Sequence, residues 1–128
     1  MRTLLDTHVL FWWLTEDERL SARARQVLAN GPDAVHVSVA TAWEIAIKVG
    51  LGKWPEARWL IDNFEHEMAT EGFRLLSIEV SHVRVAGLMR AAHRDPFDRL
   101  LVAQAASEGL TFVTSDQALT DLGAACLW

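Results

Sequence analysis

Short apolar runs alternate with longer stretches of helical periodicity along the whole chain. Residues 2–6 (RTLLD) have the character of a short buried strand that stops on a carboxylate, Asp6. Residues 8–14 (HVLFWWL) are apolar without alternation, so periodicity alone leaves helix and strand both open. Ser21 is an N-cap for a helix over residues 21–28 that Asn30-Gly31-Pro32 stops. Val35, Val37 and Val39 alternate with His36 and Ser38, the period of a strand. Residues 42–49 read as a helix ended by Gly50, with Ile45 and Val49 on one face. A helix over residues 55–68 follows, carrying Leu60, Ile61, Phe64 and Met68 at helical spacing. Gly72 precedes a strand over residues 73–78, and Val83, Ala86 and Met89 mark another helix that runs into the break at Arg94-Asp95-Pro96. Asp95 suits an N-cap and Pro96 the first position of a helix that reaches Gly109. A strand over 110–114, a short helix from Ser115 and a last strand over 125–128 complete the reading. Strands alternating with helices predict the α/β class: one domain over residues 1–128, with a parallel central sheet between two helical layers.

Composition narrows the function classes. The chain has 128 residues, of which 51% are hydrophobic and 23% charged, a mix that excludes disorder. Cys126 is the only cysteine, so no internal disulfide exists, and a lone thiol fits a reducing compartment. No apolar run approaches the ~18 residues of a bilayer span, and Asp6 interrupts the N-terminus too early for a signal-peptide core. The expectation is a compact, soluble, cytoplasmic protein with no membrane partner. A net charge of -5 argues against bulk nucleic-acid binding, but the cations are unusual in kind: ten arginines against Lys48 and Lys53. Arginine grips phosphate with two donors, so a few around one cleft would suffice.

In a parallel sheet, ligands bind beyond the carboxyl ends of the strands. Asp6 closes the first strand, Asp116 follows the 110–114 strand, Glu44 lies in the first turns after the valine strand, and Asp98 sits in the first turn after Pro96. Each has an ordinary reading alone. Thr41-Ala42-Trp43-Glu44 matches a capping box, Asp98 and Asp116 suit the positive end of a helix dipole, and Asp6 suits a turn. Asp6 is the hardest to explain in this way, since it ends an apolar strand with no cap motif after it. Together, four carboxylates on one edge repel unless a cation lies between them, and oxygen ligands select a hard divalent ion, Mg²⁺ or Mn²⁺.

Four segments then resemble the PIN-domain family, and most its bacterial VapC-type toxins. They are Leu4-Leu5-Asp6-Thr7-His8, the stretch from Ser38 to Lys48 (SVATAWEIAIK), the stretch from Asp95 to Ala105 (DPFDRLLVAQA), and Val113-Thr114-Ser115-Asp116. They occur in family order and spacing over nearly the whole chain. The resemblance implies a metal-dependent endoribonuclease, the toxin of a toxin-antitoxin pair, with Asp6, Glu44, Asp98 and Asp116 as catalytic metal ligands. It also implies an RNA substrate, a cognate antitoxin and a homodimer. Asp95 is read as a helix cap only. With water as nucleophile rather than the ribose 2′-hydroxyl, the products carry 5′-phosphate and 3′-hydroxyl ends. A catalytically inert PIN-like protein-binding module is the alternative; loss of two or more acids would mark it, and all four are present.

The remaining residues sharpen this picture. Thr7 and Thr114 are candidates to orient a carboxylate, or else helix caps. Arg90, His93, Arg94 and Arg99 cluster around the third segment as guides for a phosphate backbone, or as a solvated basic face. His8, His36, His66, His82 and His93 show no HxxxH or HExxH spacing, which argues against zinc and leaves them as core or solvated histidines. Trp43 is expected in the core; Trp54 and Trp59 are read as core, with an exposed partner-binding patch as the other reading. Cys126 is expected to be buried. Haloacid-dehalogenase-like phosphatases need an acid where His8 stands, and receiver domains need a lysine that Val113-Thr114-Ser115-Asp116 lacks.

Overall fold

The computed structural model describes residues 1–90, 93 and 95–128. Five parallel strands form one sheet in the order β3-β2-β1-β4-β5: β1 (Thr3–Leu5), β2 (Val35–Ser38), β3 (Arg74–Leu76), β4 (Thr111–Val113) and β5 (Cys126–Leu127). Leu4 pairs with His36 of β2 on one side and Phe112 of β4 on the other, which fixes the register at the centre. Alternate residues then face opposite layers. Leu5, Val35, Val37 and Val113 pack on α1 (Thr7–Leu14), α2 (Ala22–Asn30), α4 (Arg58–Asp62) and α5 (Phe64–Glu71) through Leu10, Leu28, Leu60 and Met68. Leu4 and Phe112 face the other layer, α6 (Val80–Leu88) and α7 (Pro96–Glu108), through Ala86, Leu101 and Val102. The remaining helix is α3 (Val39–Gly50). The architecture is the expected helix-covered parallel sheet. Among the described residues no helix is long and apolar enough to cross a membrane.

Several elements differ from the sequence reading for identifiable reasons. The ambiguous 8–14 run is helix, and Asp6, which local sequence marks with no cap motif, is its N-cap, its side chain accepting from the Thr7 amide. The helix expected over 55–68 is instead a 3₁₀ turn at Pro55–Ala57 followed by α4 and α5. Asn63 leaves helical geometry at φ -127°, and its side-chain amide donates to the Trp59 carbonyl at 2.9 Å, closing α4. Helix α3 starts at Val39, inside the expected strand, because Ser38 Oγ accepts from the Ala40 amide. Glu44 therefore lies in the second turn, and the capping-box reading of Glu44 fails. Helix α3 buries Ala40, Thr41, Glu44 and Ile45. Trp43 points off that stripe, so it is 58% exposed rather than core, with its ring edge-on to Phe97 at 5.3 Å. Trp54 is partly buried against Phe11, whereas Trp59 is exposed and does not join the core.

Candidate active site

The strand order changes direction at β1, whose neighbours are the second and fourth strands; such a switch point opens a crevice at the carboxyl ends. Asp6 leaves β1 there and Asp116 follows β4. A cleft of about 440 Å³ at this position is lined by Asp6, Glu44, Asp98 and Asp116, and also by Asp95. Topology thus brings the four sequence-predicted acids to one cleft. Asp95 caps α7, accepting from the Phe97 amide at 2.9 Å, and shares the cleft as well.

Each acid is held differently. Asp6 accepts from the Thr7 amide through Oδ1 and from Thr114 Oγ1 through Oδ2, both at 2.8 Å. Thr114 Oγ1 also accepts the Asp116 amide at 3.1 Å, so one buried hydroxyl ties two acids to the end of β4. Glu44 is buried; its Oε1 accepts from Thr7 Oγ1 at 2.7 Å and its Oε2 meets Lys48 Nζ at 2.6 Å. Asp98 Oδ2 meets His93 Nε2 at 2.7 Å. Asp116 is exposed, with Oδ1 accepting from the Ala118 amide. As placed, no three His, Cys, Asp or Glu side chains among the described residues stand close enough together to hold one ion.

Burial raises the proton affinity of two acids. Asp6 is pushed above the ordinary carboxylate value by desolvation, which outweighs the Thr114 and Thr7 hydrogen bonds; the Glu44 charge adds a smaller push. Asp98 is pushed up to about 6, first by desolvation, with the charges of Asp95 and Asp6 adding to it against the His93 hydrogen bond. The Glu44 charge acting on Asp6, and the Asp95 and Asp6 charges acting on Asp98, link these acids electrically in one site.

Three expectations change here. His8 lines the cleft and His93 binds Asp98, so two of the five histidines do belong with the acids, whereas His82 is a core residue whose Nδ1 accepts from the Glu79 amide. Arg99 is anchored within the fold rather than on a solvated basic face: its guanidinium donates to the carbonyls of Ala86, Met89 and His93, joining α7 to the end of α6. Arg90 is exposed, and Arg94 lies outside the described residues. Cys126 is only partly buried. Lys48 escaped the sequence reading although its spacing four residues after Glu44 was the available signal.

Buried threonines give a test with opposite signs. Among the described residues, Thr3 Oγ1 is the one buried side-chain oxygen without a partner. Thr3→Val is expected to stabilise the fold by about 1 kcal/mol, whereas Thr7→Val strands a Glu44 oxygen and costs about 1–3 kcal/mol. Denaturant melts of both variants check this.

The chain is 28% identical to Ribonuclease VapC22 of Mycobacterium tuberculosis over 127 residues, covering 91% of this chain and 88% of that one. Its fold matches VapBC2 from Rickettsia felis bound to a promoter DNA fragment, with a TM-score of 0.70 at 13% identity over 99% of this chain and 98% of that one. It also matches a toxin-antitoxin complex from Klebsiella pneumoniae, with a TM-score of 0.68 at 19% identity over 98% and 96% of the two chains. The sequence profile of the PIN domain matches residues 3–125, and the chain therefore belongs to the PIN-domain family.

Proposed function

We propose that this protein is a metal-dependent endoribonuclease, the toxin of a toxin-antitoxin pair, with Asp6, Glu44, Asp98 and Asp116 as its catalytic and metal-holding residues. The observation that carries the reading is the single cleft lined by all four carboxylates at the sheet's switch point. The donor chemistry suits a hard divalent ion: all four acids offer carboxylate oxygens, and the Asp6 charge raises the proton affinity of Asp98, a repulsion that Mg²⁺ or Mn²⁺ would relieve as the side chains close on it. When bound, such an ion supplies Lewis acidity that polarises a phosphate and makes water a stronger nucleophile. The chain's own work is placement. Thr114 fixes Asp6 and the start of the Asp116 turn, and Thr7 fixes Glu44, so the carboxylates meet the substrate already oriented. The intact acid set weighs against the inert binding module.

The relative's identity as a ribonuclease, VapC22, supports RNA as substrate, and the toxin-antitoxin complex among the fold's neighbours supports an antitoxin partner. A homodimer is part of the proposal. It is supported by the apolar surface that α6 and its surroundings leave exposed at Val80, Val83, Leu88 and Trp43. Sedimentation of the wild type against Leu88→Glu is expected to show a dimer reduced to monomer; a wild-type monomer would remove the dimer from the reading. For the activity itself, cleavage of RNA is expected with Mg²⁺ or Mn²⁺, to stop in EDTA, and to leave 5′-phosphate ends. Products ending in 2′,3′-cyclic phosphate would show that the ribose hydroxyl attacks instead.

A further inference from the structure

The cleft lining is chemically mixed: beside the acids stand His8, Trp12, Arg19 and Lys48. The His8 ring stacks on Trp54 with centroids 5.0 Å apart and planes 25° apart, and leans against Trp12 at 6.0 Å. His8 is nevertheless exposed, so an imidazole backed by an indole keeps a free face beside Asp6, two residues away in sequence. Cations stand on the same indoles: Lys48 Nζ lies 6.0 Å from the Trp54 ring centre, and the Arg19 guanidinium lies 5.2 Å over Trp12. Both are steadied by acids, Lys48 by Glu44 and Arg19 by Asp17. Neither pairing uses every N–H of the cation, because an ammonium has three donors and a guanidinium five.

A flat ring with donors on either indole suits a nucleic-acid strand whose base is unpaired: the base stacks, and neighbouring phosphates meet the cations. A protein partner would instead seek apolar surface, and exposed apolar side chains such as Leu88, Val80, Val83 and Trp43 lie on α6 and α3 rather than lining this cleft. We infer that the free face of His8, backed by Trp54, is the platform on which one unpaired RNA base stacks next to the cleaved linkage, with Lys48 and Arg19 holding the flanking phosphates. This rests on the ribonuclease reading and adds how the strand is gripped.

The test uses the full chain, Mn²⁺ and a fluorescent single-stranded RNA pool of mixed sequence, with His8→Ala and His8→Phe compared with the wild type. His8 is exposed, so neither variant is expected to disturb folding, and thermal melts check that. His8→Ala is expected to raise the apparent KM ~10-fold, the equivalent of about 1.4 kcal/mol and within the range of a base–aromatic stack, with a smaller change in kcat. His8→Phe restores the wild-type KM, because a phenyl ring stacks without titrating or donating. An unchanged KM in His8→Ala, or His8→Phe as weak as His8→Ala, overturns the platform while leaving the nuclease intact. A wild type that cuts no RNA in the pool with Mn²⁺ overturns the ribonuclease reading and the platform with it.

Discussion

RNA cleavage by the Asp6→Asn protein is expected to fall at least ~10–100-fold below wild type, the loss seen when even an outer partner of a metal ligand is removed. Asp6 ends the central strand and its two oxygens are held by the Thr7 amide and the Thr114 hydroxyl. Asparagine keeps the shape and the cap, since its carbonyl still accepts the Thr7 amide and the Thr114 hydroxyl can turn to accept its NH₂. Only the charge is lost. Desolvation already disfavours the ionised Asp6 carboxyl, so the variant is expected to fold at least as well as wild type, and lost activity cannot be blamed on unfolding. Expressed alone, the wild type is expected to slow growth and Asp6→Asn to relieve it. Equal toxicity and equal cleavage rates would remove Asp6 from the catalytic set.

Asp98→Asn is expected to melt higher than wild type in EDTA at neutral pH, by about 1–2 kcal/mol. Its carboxyl rises from 3.8 to about 6 in the folded protein. At about 1.36 kcal/mol per pH unit that is about 3 kcal/mol against the folded state. The side chain is 23% exposed, so solvent screening reduces the figure. The sign follows from proton counting. Between the unfolded value near 4 and the folded value near 6 the native protein holds more protons at this site, so stability falls as pH rises through that window. The gap between variant and wild type therefore opens from pH 4 to pH 6 and stays open above it. Saturating Mn²⁺ is expected to shrink or reverse the gap, because the wild type gains more from binding. An isolated acid in a helix's first turn behaves oppositely, since neutralising it weakens a favourable dipole interaction. If Asp98→Asn is the less stable protein in EDTA and Mn²⁺ shifts both equally, the acids do not act as one cluster.

Much of this molecule follows from local pattern. Val35 and Val37 alternate with polar neighbours and form a strand; Asp95-Pro96 caps and starts α7, and Gly109 ends it with φ 66°, a conformation that glycine adopts without strain. Such features depend on a few adjacent residues, so the sequence by itself determined the alternation of strands and helices and placed four acids just beyond strand ends. Which face each helix buries was decided by packing. Trp43 is as apolar as any core residue, yet α3 begins at Ser38 and turns it outward, while Glu44, a charged residue, is buried. The partners of the acids were equally beyond local reach. Thr114 meets Asp6 across 108 residues and Thr7 meets Glu44 across 37, pairings that exist only because parallel strands carry distant segments to one sheet edge. Arg99 and His93 show the same limit: both lie beside the DPFD segment, but one reaches back to carbonyls at the end of α6 and the other to the Asp98 carboxylate. Charge and spacing specify what a side chain can bind; only the tertiary structure decides which group stands within its reach.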